Sequence, residues 1–241
     1  MVCYAQYVDI SVLIIIDLEK DMENNYILNH VDHTLLTPTA TWSEIEKLCN
    51  EAIKYKTASV CIPPCYVKLV RETFADIVIC TTIGFPLGYD ILATKALATQ
   101  AAIEGGADEI DMVINITDVK NNNFAAIKTE IQVLKQIIGE KILKVIIETC
   151  YLTESEKISL CKIVTEAGAD YIKTSTGFGT AGATLEDINL FKANIGPDVK
   201  MKAAGGIRSR EDMVAFIEAG CSRLGTSSAV KILTEGKSEG Y

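Results

Sequence analysis

Two lysines and an aspartate stand where this sequence should be entering buried strands, positions that exclude ionisable groups unless they are paired. Lys173 lies in ADYIKTSTGF, from Ala169 to Phe178, Lys202 in VKMKAAGGIR, from Val199 to Arg208, and Asp111 in ADEIDMVIN, from Ala107 to Asn115. Lys144 and Glu148 are the other polar residues at candidate strand ends. Alternation with period two puts Lys200 and Lys202 on one side of their strand and Met201 on the other, so both lysines are expected to point inward at different depths. A lysine amine attacks a carbonyl only when neutral, and at a pKa of ~10.4 about one molecule in 2,500 is neutral at pH 7. A second cation about 4 Å away, at an effective dielectric near 20, is worth ~4 kcal/mol, or roughly three pKa units. Lys173 and Lys202 therefore make a candidate Schiff-base nucleophile and its activator. Asp111 alternates with Ile110 and Met112; its carboxylate suits a proton relay or a structural ion pair, and both readings stay open at this point.

Glycines and hydroxyls supply a second half to the site. Gly205 and Gly206 follow one candidate strand, Gly225, Thr226, Ser227 and Ser228 follow the next and open a helix, and Thr176 and Gly177 follow a third. Backbone N–H groups at a helix amino terminus after strands seven and eight form the usual phosphate site of an α/β barrel.

These residues need a frame that brings strand ends together. Eight short apolar runs are candidate strands: Asn29–His33, Ala58–Ile62, Ile77–Thr82, Glu109–Ile114, Leu143–Thr149, Tyr171–Thr174, Val199–Ala203 and Arg223–Thr226. Between them the apolar period changes to 3.6. Phe124, Ile127, Ile131, Leu134 and Ile138 form one helical face, and Trp42, Ile45, Leu48, Cys49, Ala52 and Ile53 another. Thr41 with Glu44 and Thr153 with Glu156 have capping-box spacing, and Thr184 with Asp187 and Ser209 with Asp212 are acidic variants of it. EGGADEID, EAGADYIK and EAGCSRLG, starting at Glu104, Glu166 and Glu218, repeat one helix-end glycine that leads into a strand. Strands alternating with helices imply parallel pairing with the helices outside. Eight units without a GxGxxG loop after the first strand favour a single (β/α)₈ TIM barrel over a doubly wound sheet. Residues 26–241 are assigned to the barrel and residues 1–25 to an amino-terminal extension, with Met22 as an alternative start.

Composition narrows the function classes. The 241 residues carry Lys+Arg 23 against Asp+Glu 32, a net charge of -9, and 49% hydrophobic residues. That balance gives nucleic-acid phosphates or an anionic bilayer no global basic surface, and its apolar content argues against disorder. The run Val12–Ile16 is too short for a span and lacks the basic flank of a signal peptide, so a soluble, cytoplasmic protein is expected. The eight cysteines include no CxxC pair and are expected to be reduced and mostly buried. Cys61, Cys65, His30 and His33 lack zinc-ligand spacing.

The motifs VDHTLL from Val31, ADEIDMVIN from Ala107, LKVIIET from Leu143, YIKTSTGF from Tyr171, KAAGGIR from Lys202 and GTSSAV from Gly225 together resemble the 2-deoxyribose-5-phosphate aldolases. These are class I, Schiff-base aldolases of (β/α)₈ fold, and the likeness runs from about Ile27 onward. The resemblance implies Lys173 as the Schiff-base lysine, Lys202 as the neighbour that lowers its pKa, and Asp111 as the relay carboxylate. It implies Thr176, Gly177, Gly205, Gly206, Gly225, Ser227 and Ser228 as substrate- and phosphate-binding positions, with Lys144, Asp32, Thr34 and Cys61 lining or buttressing the pocket. Lys200 does not match the second lysine. The implied reaction is aldol cleavage of 2-deoxy-D-ribose 5-phosphate to glyceraldehyde 3-phosphate and acetaldehyde, with no metal and no organic cofactor, because the imine is the electron sink. Small phosphosugars and aldehydes are thus the expected partners, and a homo-oligomer, dimer or tetramer, is compatible with the chain. Phe178 stands where some members have a lysine, and Tyr241 where some have a mobile terminal tyrosine. Competing readings are another Schiff-base aldolase, a phosphosugar isomerase, and a catalytically silent sugar-phosphate-binding barrel.

Overall fold

A computed structural model describes residues 23–235. The expectations for the segment before Met22 and for Tyr241 lie outside the described residues.

Eight parallel strands close into one barrel in chain order: β1 (Val31–Thr34), β2 (Ser59–Ile62), β3 (Ile79–Ile83), β4 (Glu109–Val113), β5 (Ile142–Ile146), β6 (Tyr171–Lys173), β7 (Lys200–Ala204) and β8 (Arg223–Thr226), with β8 pairing back onto β1. The helices are α1 (Trp42–Tyr55), α2 (Val67–Thr73), α3 (Leu92–Glu104), α4 (Ile116–Lys120), α5 (Phe124–Ile138), α6 (Glu154–Glu166), α7 (Leu185–Asn194), α8 (Arg210–Glu218) and α9 (Ala229–Glu235). This is the expected TIM barrel. None of the helices among the described residues is long and apolar enough to cross a membrane.

Alternation along the strands divides the molecule into two chemistries. Val31, Val60, Ile79, Ile110, Met112, Leu143, Val145, Ile172, Met201 and Leu224 are buried in the apolar core shared with the helices. The intervening positions, among them Asp32, Cys61, Cys80, Glu109, Asp111, Lys144, Lys173 and Lys202, are buried too, yet stand apart from that core. Most barrels fill the interior with branched apolar side chains. Here the apolar burial that drives folding lies outside the strands, which leaves the inside available for charge.

Local signals set the helix limits. Thr41, Thr153 and Ser209 each form a capping box, and Thr184 accepts from the Asp187 N–H without the reciprocal bond. Gly106, Gly168 and Gly220 follow the ends of α3, α6 and α8 at positive φ, the conformation that turns the chain into the next strand. On α1, Ile45, Leu48, Cys49 and Ala52 face the core, but Ile53 is exposed, because it lies roughly 90° from the centre of that stripe. Residues 23–28 are helical. Within them Asn24, expected in the extension, is buried and its amide donates to the Leu233 carbonyl at 3.1 Å, while Ile27 and Leu28 join the core.

Candidate active site

The register of the closed sheet assembles the ionisable residues. Asp111 lies opposite Lys144 across β4 and β5, and Lys173 opposite Lys202 across β6 and β7. All four side chains turn inward and meet. Asp111 Oδ2 accepts from Lys173 Nζ and from Lys202 Nζ, each at 2.7 Å, and Oδ1 accepts from Lys144 Nζ at 2.8 Å and from the Cys80 thiol at 3.1 Å. Lys202 Nζ also reaches Asp32 Oδ2 at 2.5 Å, and Lys144 Nζ reaches Glu109 Oε2 at 2.6 Å. Below them Arg223 bridges Asp32 at 2.5 Å and Glu109 at 2.9 Å, and Ser59 Oγ donates to Asp32 at 2.8 Å.

Burial and pairing pull against each other throughout this network. Burial alone would raise the pKa of Asp111, but Lys144, Lys173 and Lys202 hold it well below the usual carboxylate range. Burial opposes ionisation of Asp32 as well, and Lys202, Lys144 and Arg223 overcome it. For Lys202 and Lys144 burial would lower the pKa, yet the surrounding carboxylates, Asp111 foremost, raise it. Asp32, Asp111, Lys144 and Lys202 therefore stay ionised although they lie inside the protein.

Two expectations change. Lys200 shares the inward side of β7 with Lys202, but it sits at the strand's amino end, is exposed, and places Nζ 5.8 Å over the Tyr171 ring. Bare repulsion between Lys173 and Lys202 is also too simple, because one carboxylate oxygen touches both ammonium groups. The ~4 kcal/mol of an unshielded neighbour does not apply to such a shared contact.

Of the network, Lys173 reaches the cleft at the carboxyl ends of the strands, together with Thr34, Thr176, Gly177, Gly205, Gly225, Ser227 and Ser228. Asp111, Lys202, Lys144, Asp32 and Cys61 lie behind that lining, fully buried, and Gly206 is on the exposed side of its loop. The loops come together through close backbone contact. At Gly205, with φ of 79°, a Cβ would come within 3.2 Å of Gly177 Cα and 3.1 Å of Gly182 Cα, so only glycine lets the three backbones meet there. Thr226 and Ser228 both donate to the Ile207 carbonyl, at 3.3 and 3.4 Å, which ties the ends of β7 and β8 together.

Three residues outside the expected set shape the cleft. Arg208 lines it and is exposed, a side-chain cation at the mouth beside Phe178. Phe178 instead packs edge-on against Phe85, with ring centroids 5.3 Å apart at 86°. Glu148 ends β5 earlier than its apolar run suggests, because it adopts φ 53° and ψ 69°, a left-handed conformation that costs a side-chain-bearing residue about 1–3 kcal/mol. Its carboxylate accepts from the Thr176 N–H at 3.2 Å and from the Thr176 hydroxyl, and burial pushes its pKa up. The turn thus holds the loop after β6 in place.

Two groups of side chains have the atom spacing of a metal site, Cys61 with Cys80 and Asp111, and Asp32 with Cys80 and Glu109. Every carboxylate in them already pairs with lysine or arginine, so a metal ion would have to displace an ammonium or guanidinium group. The donor set suits organic cations. Neither histidine belongs to such a group among the described residues; His33 is buried against Glu51 at 2.9 Å.

Comparison with known proteins places this geometry in a family. Residues 26–231 match the model for DeoC/LacD family aldolases. The chain is 62% identical over 221 residues to a deoxyribose-phosphate aldolase of Clostridium botulinum, covering 91% of this chain and 100% of that protein. It is 57% identical over 217 residues to one of Clostridioides difficile, covering 90% and 99%. The solved tetrameric deoxyribose phosphate aldolase of Aeropyrum pernix superposes with a TM-score of 0.80 at 30% identity, over 91% of this chain and 96% of that one. A closed eight-stranded barrel whose charged interior presents one lysine to a glycine-lined cleft, matched along nearly its whole described length, belongs to the DeoC/LacD aldolase family.

Proposed function

We propose that this chain cleaves 2-deoxy-D-ribose 5-phosphate reversibly into D-glyceraldehyde 3-phosphate and acetaldehyde, with Lys173 as the imine-forming residue. The observation that supports this most is that Lys173, alone of the lysines around Asp111, lines the cleft. The neutral Lys173 amine adds to the C1 aldehyde of the open-chain sugar, and loss of water gives an iminium. A proton leaves the C3 hydroxyl through water, Asp111 and Lys202, and the C2–C3 bonding pair moves into the iminium. Glyceraldehyde 3-phosphate departs and an enamine remains on Lys173. Protonation at C2 and hydrolysis of the resulting imine release acetaldehyde and restore the amine. Asp111, kept ionised by three cations, orients the lysines and the water between them. The backbone at Gly177, Gly205, Gly225 and Ser227, with Ser228 and the Arg208 guanidinium, receives the phosphate. The imine is itself the electron sink, so this reaction calls for no metal or organic cofactor. Thr34 and Cys61 support the pocket wall.

Cytoplasmic location is supported by the free cysteines among the described residues. Assembly into a homo-oligomer is supported by the exposed Leu87, Tyr89, Ile91 and Leu97 and by the tetramer of the Aeropyrum relative. The decisive test adds deoxyribose 5-phosphate with borohydride and locates the reduced adduct by mass spectrometry. It is expected on Lys173; an unmodified Lys173 in the presence of bound substrate would overturn the reading.

A further inference from the structure

The ion network has a charge balance that its upper layer alone does not reveal. Its directly contacting cations are Lys144, Lys173, Lys202 and Arg223, and its carboxylates are Asp32, Glu109 and Asp111. Four cations share three anions. One proton is therefore in excess, and contact geometry identifies where it is held most weakly. Lys144 pairs with Glu109 and Asp111 and, at 3.7 Å, with Asp32, Lys202 with Asp32 and Asp111, and Arg223 with Asp32 and Glu109. Lys173 touches Asp111 alone, through an oxygen that Lys202 already occupies.

We infer that Arg223 and Glu109 are positioning residues that set the protonation of Lys173, by fixing the charge balance of the network beneath it. The inference rests on Lys173 as the imine-forming lysine. Arg223 joins the two carboxylates farthest below the cleft, Glu109 and Asp32, and neither Arg223 nor Glu109 lines the cleft. With Lys173 neutral, three cations face three anions and the buried network is balanced. With Lys173 protonated, it carries a net positive charge on groups that are almost entirely removed from water, with Lys144, Lys202, Asp32 and Asp111 fully buried.

None of the remaining groups around Lys173 adds a second carboxylate in direct contact with it. Glu148 faces it from the loop after β5 and attracts it across a distance longer than an ion pair, but its carboxylate is taken up by Thr176 and burial opposes its ionisation. Cys61 on β2 and Cys80 on β3 lie against Asp111; the hydrogen bond with Cys80 draws the Cys61 thiol below its ordinary pKa against burial, while burial pushes Cys80 up and its thiol donates to Asp111. On β6, Tyr171 stacks its ring against Arg223, with the guanidinium 6.0 Å from the centroid.

The test measures how fast acetaldehyde and borohydride modify Lys173 as a function of pH, by mass spectrometry. Arg223→Met removes a cation, so the Lys173 ammonium is held more firmly and the midpoint moves to higher pH by about one unit. Glu109→Gln removes an anion and moves the midpoint to lower pH by a similar amount. Arg223→Lys and the double variant Arg223→Met/Glu109→Gln keep the balance, and both retain the parent midpoint. A merely structural role would lower yield or stability without giving the two single variants opposite signs.

Midpoints that move together, or stay fixed, in the two single variants would overturn the inference. So would a displaced midpoint in either balanced variant, an arm that holds even if a single variant fails to fold. Absence of any adduct in the parent chain at every pH would instead overturn the aldolase site itself, and this inference with it.

Discussion

Two buried lysine sites in this molecule use the same pair of functional groups to different ends. Lys95 on α3 is 1% exposed and meets Glu130 of α5 at 2.6 Å and the Val113 carbonyl at 2.7 Å. One cation faces one anion, and neither residue lines the cleft. Lys173 is 3% exposed, shares its single carboxylate with two other lysines, and opens onto the cleft. Burial is nearly the same at both sites. What separates a lysine that fastens a helix from one open to a small molecule is the number of cations that share its one carboxylate, and whether it lines the cleft.

The contrast fails if the two lysines respond alike to removal. On the proposed mechanism Lys173→Met lowers cleavage at least ~10³-fold, because Lys173 is the one lysine lining the cleft among the described residues; steady-state assays with deoxyribose 5-phosphate measure this. Lys95→Met should leave the turnover of the folded enzyme within about twofold while lowering stability by about 3–5 kcal/mol, because Glu130 is left buried without its cation. Urea unfolding reports that loss, and Lys95→Met/Glu130→Leu should recover most of it. A Lys95→Met protein that folds as stably as the parent but cannot be trapped with borohydride would abolish the distinction.

Smaller effects, with opposite signs, are expected in the pH dependence of stability. Burial raises the Glu130 pKa above its ordinary 4.5 against the pull of Lys95 and the Asn115 backbone, with Asp118 adding to the rise. Its contribution is complete below 4.5 and is lost as pH rises through the elevated folded value. Asp111 behaves inversely. Burial opposes its ionisation, but the three lysines depress its pKa, so its contribution is present above the ordinary 3.8 and is lost as pH falls through the folded value. Urea midpoints followed across pH should therefore lose slope on the rising side in Glu130→Gln and on the acid side in Asp111→Asn.

Much of this arrangement was legible in the sequence, for identifiable reasons. Strands were legible because their outward positions are apolar, and helix starts because Thr41, Thr153 and Ser209 carry their own capping partners. Lys173, Lys202 and Asp111 stood out because each interrupts an apolar run. Arg223 and Glu109 did not, since each stands at the first position of its strand, where charge is ordinary, and they meet across 114 positions of sequence. Glu109 lies two residues before Asp111 and so shares its side of β4, the one local signal that could have been followed. Lys200 shows the converse limit: alternation gives the side of a strand but not the depth. The backbone turn at Glu148 depends on Thr176, 28 positions later, and nothing near residue 148 announces it.

The return of β8 onto β1 has a consequence for how the chain acquires its chemistry. Asp32 on β1 meets Lys202 and Arg223 across 170 and 191 positions, contacts that exist only once the ring is complete. Such long-range contacts come with a large closure entropy and belong to the slow part of folding. Until then Asp32 and its partners are hydrated charges with no low-dielectric surroundings to couple them. If Lys173 is the proposed nucleophile, a refolding chain should therefore regain helical signal before acetaldehyde and borohydride can trap that lysine, because the same event that finishes the fold assembles its surroundings.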